Sequence, residues 1–194
     1  KLLTEFEEGK GDILLGTQMI AKGLDYPNIT LVGVLNADTM LNLPDFRASE
    51  RTYQLLTQVA GRAGRHDKPG RVIIQTYNPE HYAIQDVQKN DYLTFYQKEM
   101  EFRKIGKYPP YYFLINFTIS HKNMKKVMEA SKHIHQILLQ HLTDRALVLG
   151  PSPAAIARIN NEHRFQILVK YKSEPELLKA LQFLDDYYHE AYLK

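Results

Sequence analysis

The residues best suited to chemistry lie at positions 58–65, in the octapeptide QVAGRAGR. Arg62 and Arg65 are three apart, so both can project from one side of a helix or tight turn, with Gln58 one turn behind. A guanidinium is a planar, permanently charged fork that matches phosphate oxygens. One delivered across a cleft stabilises the charge of a phosphoryl-transfer transition state. The intervening glycines would let another chain segment approach closely. Two arginines beside glycines are equally what a solvated or ion-paired surface looks like, and the octapeptide alone leaves both readings open. Upstream, Thr17 and Gln18 follow an apolar run, and Gly23 and Asp25 come soon after. Taken alone, the first two suit the capping of a turn and Gly23 suits a tight one.

Other chemistries are thinly supported. The chain has no cysteine, which removes disulfides and thiolate metal sites, and its eight histidines are scattered, so no metal site is expected. The charge is uneven: 13 basic residues face 14 acidic ones before Gly106, and 12 face 8 after it. A modest basic excess is commonly a solvated surface and can also be a footprint for nucleic acid. Arg164, Gln166, Lys170 and Lys172 fall at even spacing along one apolar-polar stretch, so a strand would put them on one face. Tyr111 and Tyr112 are candidates for base stacking, whereas Phe165, in an alternating strand, reads as core.

The elements that must position these residues can be read from periodicity. Residues 12–16 (DILLG), 30–35 (TLVGVL) and 71–76 (RVIIQT) are short apolar runs of the kind buried on both faces of a parallel sheet. Residues 49–63 suit a helix, with Ser49 as N-cap and Tyr53, Leu55, Leu56, Val59 and Ala60 as a partly apolar stripe. Residues 81–104 read as one further helix. The glycine and two prolines of GKYPP then break the pattern, placing a domain boundary after Gly106.

Beyond that boundary, Phe113, Ile115, Phe117 and Ile119 alternate with Leu114, Asn116 and Thr118, as in a half-buried strand. A helix is expected over residues 123–142, strands over 146–149 and 165–170, and a last helix behind a Ser173/Glu176 capping box. The expected architecture is α/β: a parallel-sheet domain over residues 1–106, then a small α+β domain over 107–194. The second domain has β-α-β-β-α order, one strand short of a split β-α-β sandwich. No apolar run is long enough to span a bilayer and no signal pattern opens the chain, so a cytoplasmic protein without a membrane partner is expected.

The segments TQMIAKGLDYPN, PDFRASERTYQLLTQVAGRAGR, QTYNPEHYAI and KYPPY, in that order, resemble the PriA family of replication-restart helicases in superfamily two. The resemblance covers nearly the whole chain, and its specificity lies in the combination and order of the motifs. It implies a partial RecA-like second lobe carrying motifs V and VI. Arg65 would be the arginine finger reaching the γ-phosphate of ATP held mainly by a first lobe, with Arg62 and Gln58 beside it. Gly23 and Asp25 would line the nucleotide cleft, and Thr17 and Gln18 would touch the nucleic-acid backbone.

The resemblance further implies ATP and Mg2+ as cofactors of the intact protein, and zinc sites built from cysteines that this piece lacks. Without the P-loop lobe, the piece alone should not hydrolyse ATP. Its C-terminal domain is implied to bind branched and single-stranded DNA, with Tyr111, Tyr112, Lys170 and Lys172 as candidates. It would also bind the acidic tail of single-stranded DNA-binding protein (SSB), with Arg164 and Gln166 as candidates. Primosome and helicase-loader proteins would be further partners of a 3′-to-5′ helicase acting at stalled forks. The competing expectation is a non-catalytic docking module for DNA and SSB.

Overall fold

A parallel pair of strands needs a crossover between them, and the sequence supplies it as a helix with one greasy side. In the computed structural model, which describes residues 2–17, 29–61, 63 and 70–192, the chain divides into two units, Lys1–Glu101 and Phe102–Lys194. The first contains α1 (Leu2–Glu7), β1 (Leu31–Val34), α2 (Asp38–Leu41), α3 (Ala48–Ala60), β2 (Arg71–Ile74), α4 (Tyr82–Gln88) and the start of α5 (Tyr92–Ile105). β1 and β2 pair in parallel, Leu31 opposite Arg71 and Val34 opposite Ile74.

Tyr53 and Leu56 of α3 are buried with Ala37, Ala83, Ile84, Val87 and Phe95 in one core. The Tyr53 and Phe95 rings stack with centroids 4.0 Å apart, and burying a side chain the size of Leu56 is worth about 1.5–3 kcal/mol. α4 and α5 are tied by an ion pair in which Lys98 Nζ donates to both carboxylate oxygens of Asp86, at 2.9 and 3.0 Å.

Three expectations for this unit need correction. Residues 12–16 form no strand: Ile13 is 86% and Leu15 79% exposed, because an apolar run becomes a strand only where a neighbour takes up its hydrogen-bond ladder. The helical stretch at 81–104 is two helices. Asn90 sits at φ +53, where asparagine is tolerated and a continuing helix is not. Asp91 then restarts the helix by accepting from Thr94 N and Oγ1. Ser49 lies inside α3 and is not its cap; the residue at the cap, Arg47, gives no side-chain capping bond.

The second unit has β3 (Phe113–His121), α6 (Met124–His141), β4 (Ala146–Ile159), β5 (Glu162–Tyr171) and α7 (Leu177–Tyr192). The strand order is β3-β5-β4, antiparallel throughout. Asn123 caps α6 by accepting from Lys125 N and Lys126 N. Ile137 and Leu138 of α6, the adjoining Leu142, and Ala180 and Leu184 of α7 pack with Ile167 and Val169 of β5. Both helices therefore cover one face of the sheet and neither covers the other, where Asn116, Thr118 and Ser120 are exposed and Lys170 is buried.

The stretch between the expected strands at 146–149 and 165–170 is itself mostly strand. β4 runs on through Pro151 and Pro153, which an edge strand accommodates, and shifts register twice. It turns into β5 at Asn160 and Asn161, both at positive φ (+50 and +66), the geometry of a two-residue hairpin. At the start of α7, Glu174 takes the role expected of Ser173: its carboxylate accepts from Glu176 N at 3.2 Å and from Thr143 Oγ1 at 2.8 Å.

Candidate nucleotide and nucleic-acid sites

The approach to QVAGRAGR is built from the start of α3. Asp45 accepts from the backbone N–H of Arg47 at 2.9 Å and pairs with Arg51 at 3.0 Å. Partial burial opposes the Asp45 charge, yet these hydrogen bonds and the two guanidiniums hold its carboxyl below the usual range. The loop is thereby pinned to the helix it feeds. Asp45, Arg47 and Arg51 received no role from the sequence, although their D-x-R-x-x-x-R spacing carried the signal.

From this anchored start, α3 runs to a last turn in which Gln58 is half-buried. Gly61 follows with φ −70, and a Cβ there would meet nothing closer than the Thr57 oxygen at 3.6 Å. Packing against the described residues therefore does not require glycine at 61. Arg62 and Arg65 lie outside the described residues, as do Gln18, Gly23 and Asp25. Thr17 is exposed, in irregular backbone.

At the carboxyl ends of β1 and β2, where open α/β sheets place their ligands, Asp38 accepts from Tyr77 N at 3.0 Å and Thr76 Oγ1 at 2.8 Å. The Tyr77 N–H foremost lowers the Asp38 pKa below the ordinary carboxylate value. Asp38 thus staples the two strand ends together, a role that sequence reasoning missed. No group of three or more His, Asp or Glu able to hold a metal occurs among the described residues, so no magnesium position can be assigned to them.

In the second unit, the uncovered sheet face carries Arg164 opposite Ser120, and Gln166 opposite Thr118, both half-buried. Lys172 is exposed just beyond β5, its Nζ 5.0 Å from the Tyr112 ring centroid. Tyr111 is 37% exposed and Tyr112 half-buried. Arg164 and Gln166 share that face, as the even spacing suggested, and Lys172 meets the Tyr112 ring just beyond the end of β5.

Lys170 departs from the expectation of a free cation. It is only 5% exposed, its Nζ donates to the Gly106 oxygen at 2.8 Å, and it sits 3.5 Å from the Tyr108 ring centroid. The ammonium is committed to fastening the GKYPP turn onto the sheet. The tyrosine ring in turn leaves no room at Gly106, where a Cβ would lie 2.7 Å from it. Phe165 is buried, as its alternation indicated.

Fold and motifs together define a helicase second lobe followed by a primosomal-type C-terminal domain. The family model described as helicase conserved C-terminal domain matches residues 1–67, and that described as primosomal protein N C-terminal domain matches residues 104–190. Over 188 residues, 97% of the chain, it is 55% identical to the replication restart protein PriA of Bacillus subtilis (strain 168). It is 45% identical over 93% of its length to that of Synechocystis, and 43% over 95% to that of Treponema pallidum (strain Nichols). The chain belongs to the PriA family. It spans about a quarter of the length of these curated relatives, 23%, 22% and 28% respectively. No helix among the described residues is long and apolar enough to cross a membrane.

Proposed function

We propose that this chain is the part of an ATP-dependent DNA helicase of replication restart that supplies an arginine finger and a stretch of the DNA track. The observation that carries the reading is α3. The helix is rooted in the core by Tyr53 and Leu56 and pinned at its start by Asp45. A segment leaving such a helix can be held at the fixed distance that phosphoryl-transfer chemistry demands. In this reading Arg65 offers its guanidinium to the γ-phosphate of ATP, with Arg62 and Gln58 beside it. Gly23 and Asp25 line the cleft, and Thr17 and Gln18 follow the DNA backbone.

ATP and Mg2+ are bound mainly by the first lobe of the intact protein, which also carries zinc elsewhere, and the chain alone does not hydrolyse ATP. The motor runs 3′ to 5′ in the cytoplasm. The functional boundary falls after Gly106, where Lys170 fastens the turn. The C-terminal domain holds branched and single-stranded DNA through Tyr111, Tyr112 and Lys172, and the SSB tail through Arg164 and Gln166, while primosome and loader proteins assemble on the whole.

The test is DNA-stimulated ATPase of the full-length protein with Arg65→Ala, alongside ATP binding and a folding check. Lost hydrolysis with binding retained is expected, by about 10³-fold or more for an arginine finger. Unchanged hydrolysis would make QVAGRAGR structural. The weight would then move to a docking module, a reading supported by the uncovered sheet face.

A further inference from the structure

The end of the second unit formed by the β4–β5 turn and the start of α6 has no role so far. Pairing puts His121 opposite His163, and Arg158 opposite the same His163, so the three strands end together. His121 Nδ1 accepts from Asn123 N at 2.8 Å, holding the cap of α6 against the same strand ends. Lys122, Lys125 and Lys126 follow directly, all exposed, as is Arg158. Arg164 lies one residue beyond His163, on the other face. Five lysines and arginines therefore surround the tip, with two histidines.

The acids within this end are Glu162 and Glu129. Glu162 accepts from Ser120 Oγ at 3.0 Å, and Glu129 stands 4.0 Å from Lys125. The turn residues are Asn160 and Asn161, and the Asn161 side chain accepts from Arg158. Ile156 and Ile159 on the same arm are 60% and 39% exposed.

From this arrangement we propose that the β4–β5 tip and the first turn of α6 form a grip on the phosphate backbone of duplex DNA. The inference rests on the reading that the intact protein works on DNA, and adds a site to it. Charge complementarity selects a polyanion. The spread of the cations selects a duplex over an acidic peptide, because a peptide docks into a groove or along one strand edge, whereas these cations stand on β4, β5 and the start of α6 around one end of the sheet, where phosphates of two strands can meet them. The lysines of α6 then meet phosphates, and Ile156 and Ile159 lie against sugars. Such contacts fix position without reading sequence.

The experiment is fluorescence anisotropy of the full chain with a random-sequence duplex across a salt series, for the parent, Lys126→Ala/Arg158→Ala, and Lys179→Ala as a control at the far end of the unit. Each lost phosphate contact should flatten the log–log salt slope by about 0.9, so the double variant should lose about 1.8. Between about 50 and 200 mM salt the parent should then lose about tenfold more affinity than the variant. The control should match the parent. A double variant with the parent's affinity and slope overturns the grip while leaving DNA binding elsewhere intact. A parent that binds no duplex overturns both the grip and the DNA reading of this unit. A variant that loses binding of an acidic peptide and keeps DNA assigns the tip to a peptide, and also overturns it.

Discussion

Lys170→Met separates a cation that contacts DNA from one that holds the second unit together. Methionine keeps an unbranched apolar stem and removes the ammonium, losing the 2.8 Å bond to the Gly106 oxygen and the 3.5 Å contact with the Tyr108 ring. At 5% exposure, water cannot readily replace either. A hydrogen bond from a charged donor is worth about 1.5–3 kcal/mol net, and a desolvated cation–π contact about 1–2 kcal/mol. One ammonium makes both, so they do not simply add. The expected loss is about 3 kcal/mol, or about 15 °C in the melting of a unit of this size.

The chain has no tryptophan and 13 tyrosines, so urea unfolding is best followed by near-ultraviolet circular dichroism. Hydrogen exchange at the Ile167 and Val169 amides would assign the loss to the second unit. The folded variant should bind DNA with the parent's affinity and salt slope. Lys172→Met, at an exposed position, should change stability by less than about 0.5 kcal/mol and flatten the slope by about 0.9. Weakened DNA binding in Lys170→Met with unchanged unfolding free energy would refute the reasoning.

Gly150→Ala should cost about 3 kcal/mol in the same unfolding experiment, because Gly150 has φ +104 and an added Cβ would lie 2.8 Å from the Gln166 oxygen. A variant as stable as the parent would mean that β4 can turn without a left-handed residue there. Lys98→Met should destabilise the first unit by about 2 kcal/mol. That is less than a fully enclosed pair would lose, because Lys98 is 42% exposed although Asp86 is only 1% exposed; stability independent of residue 98 would sink this account of the α4–α5 tie. His81 caps α4 by accepting from Ala83 N on Nδ1, and burial lowers its pKa against the opposing pull of Glu99. The unfolded chain therefore takes up the proton first, so this stability is intact above about pH 6.5 and falls as the pH drops below it. His81→Asn, a cap that does not titrate, should remove that dependence from urea midpoints measured between about pH 5 and 8, and an undiminished dependence would exclude His81 as its source.

Some features were legible because their causes lie within a few residues. The extent of α6 follows from its own apolar spacing, and β3 shows its core side because alternation is a property of the strand itself. The break at Asn90–Asp91 and the Asn160–Asn161 turn were equally local and were missed: asparagine's tolerance of positive φ was the available signal in both, masked by apolar spacing in the first and by two prolines in the second. QVAGRAGR was readable as a motif. Its anchor at Asp45 was not, since an aspartate near two arginines has many possible partners until the turn brings them together.

The sequence by itself determined the class of each unit, the order of the elements in the second, the helicase motif and the basic bias of the second half. Periodicity, composition and motif order do not depend on what packs where. Only the tertiary structure decided which members of those patterns are covered. Among the described residues the run at 12–16 pairs with no strand, whereas the similar run at 31–34 finds β2, and of two lysines on one face, Lys172 stays in water while Lys170 is enclosed. Burial and strand pairing are set by residues distant along the chain, here Gly106 and Tyr108 folded back onto position 170. No local pattern contains that information.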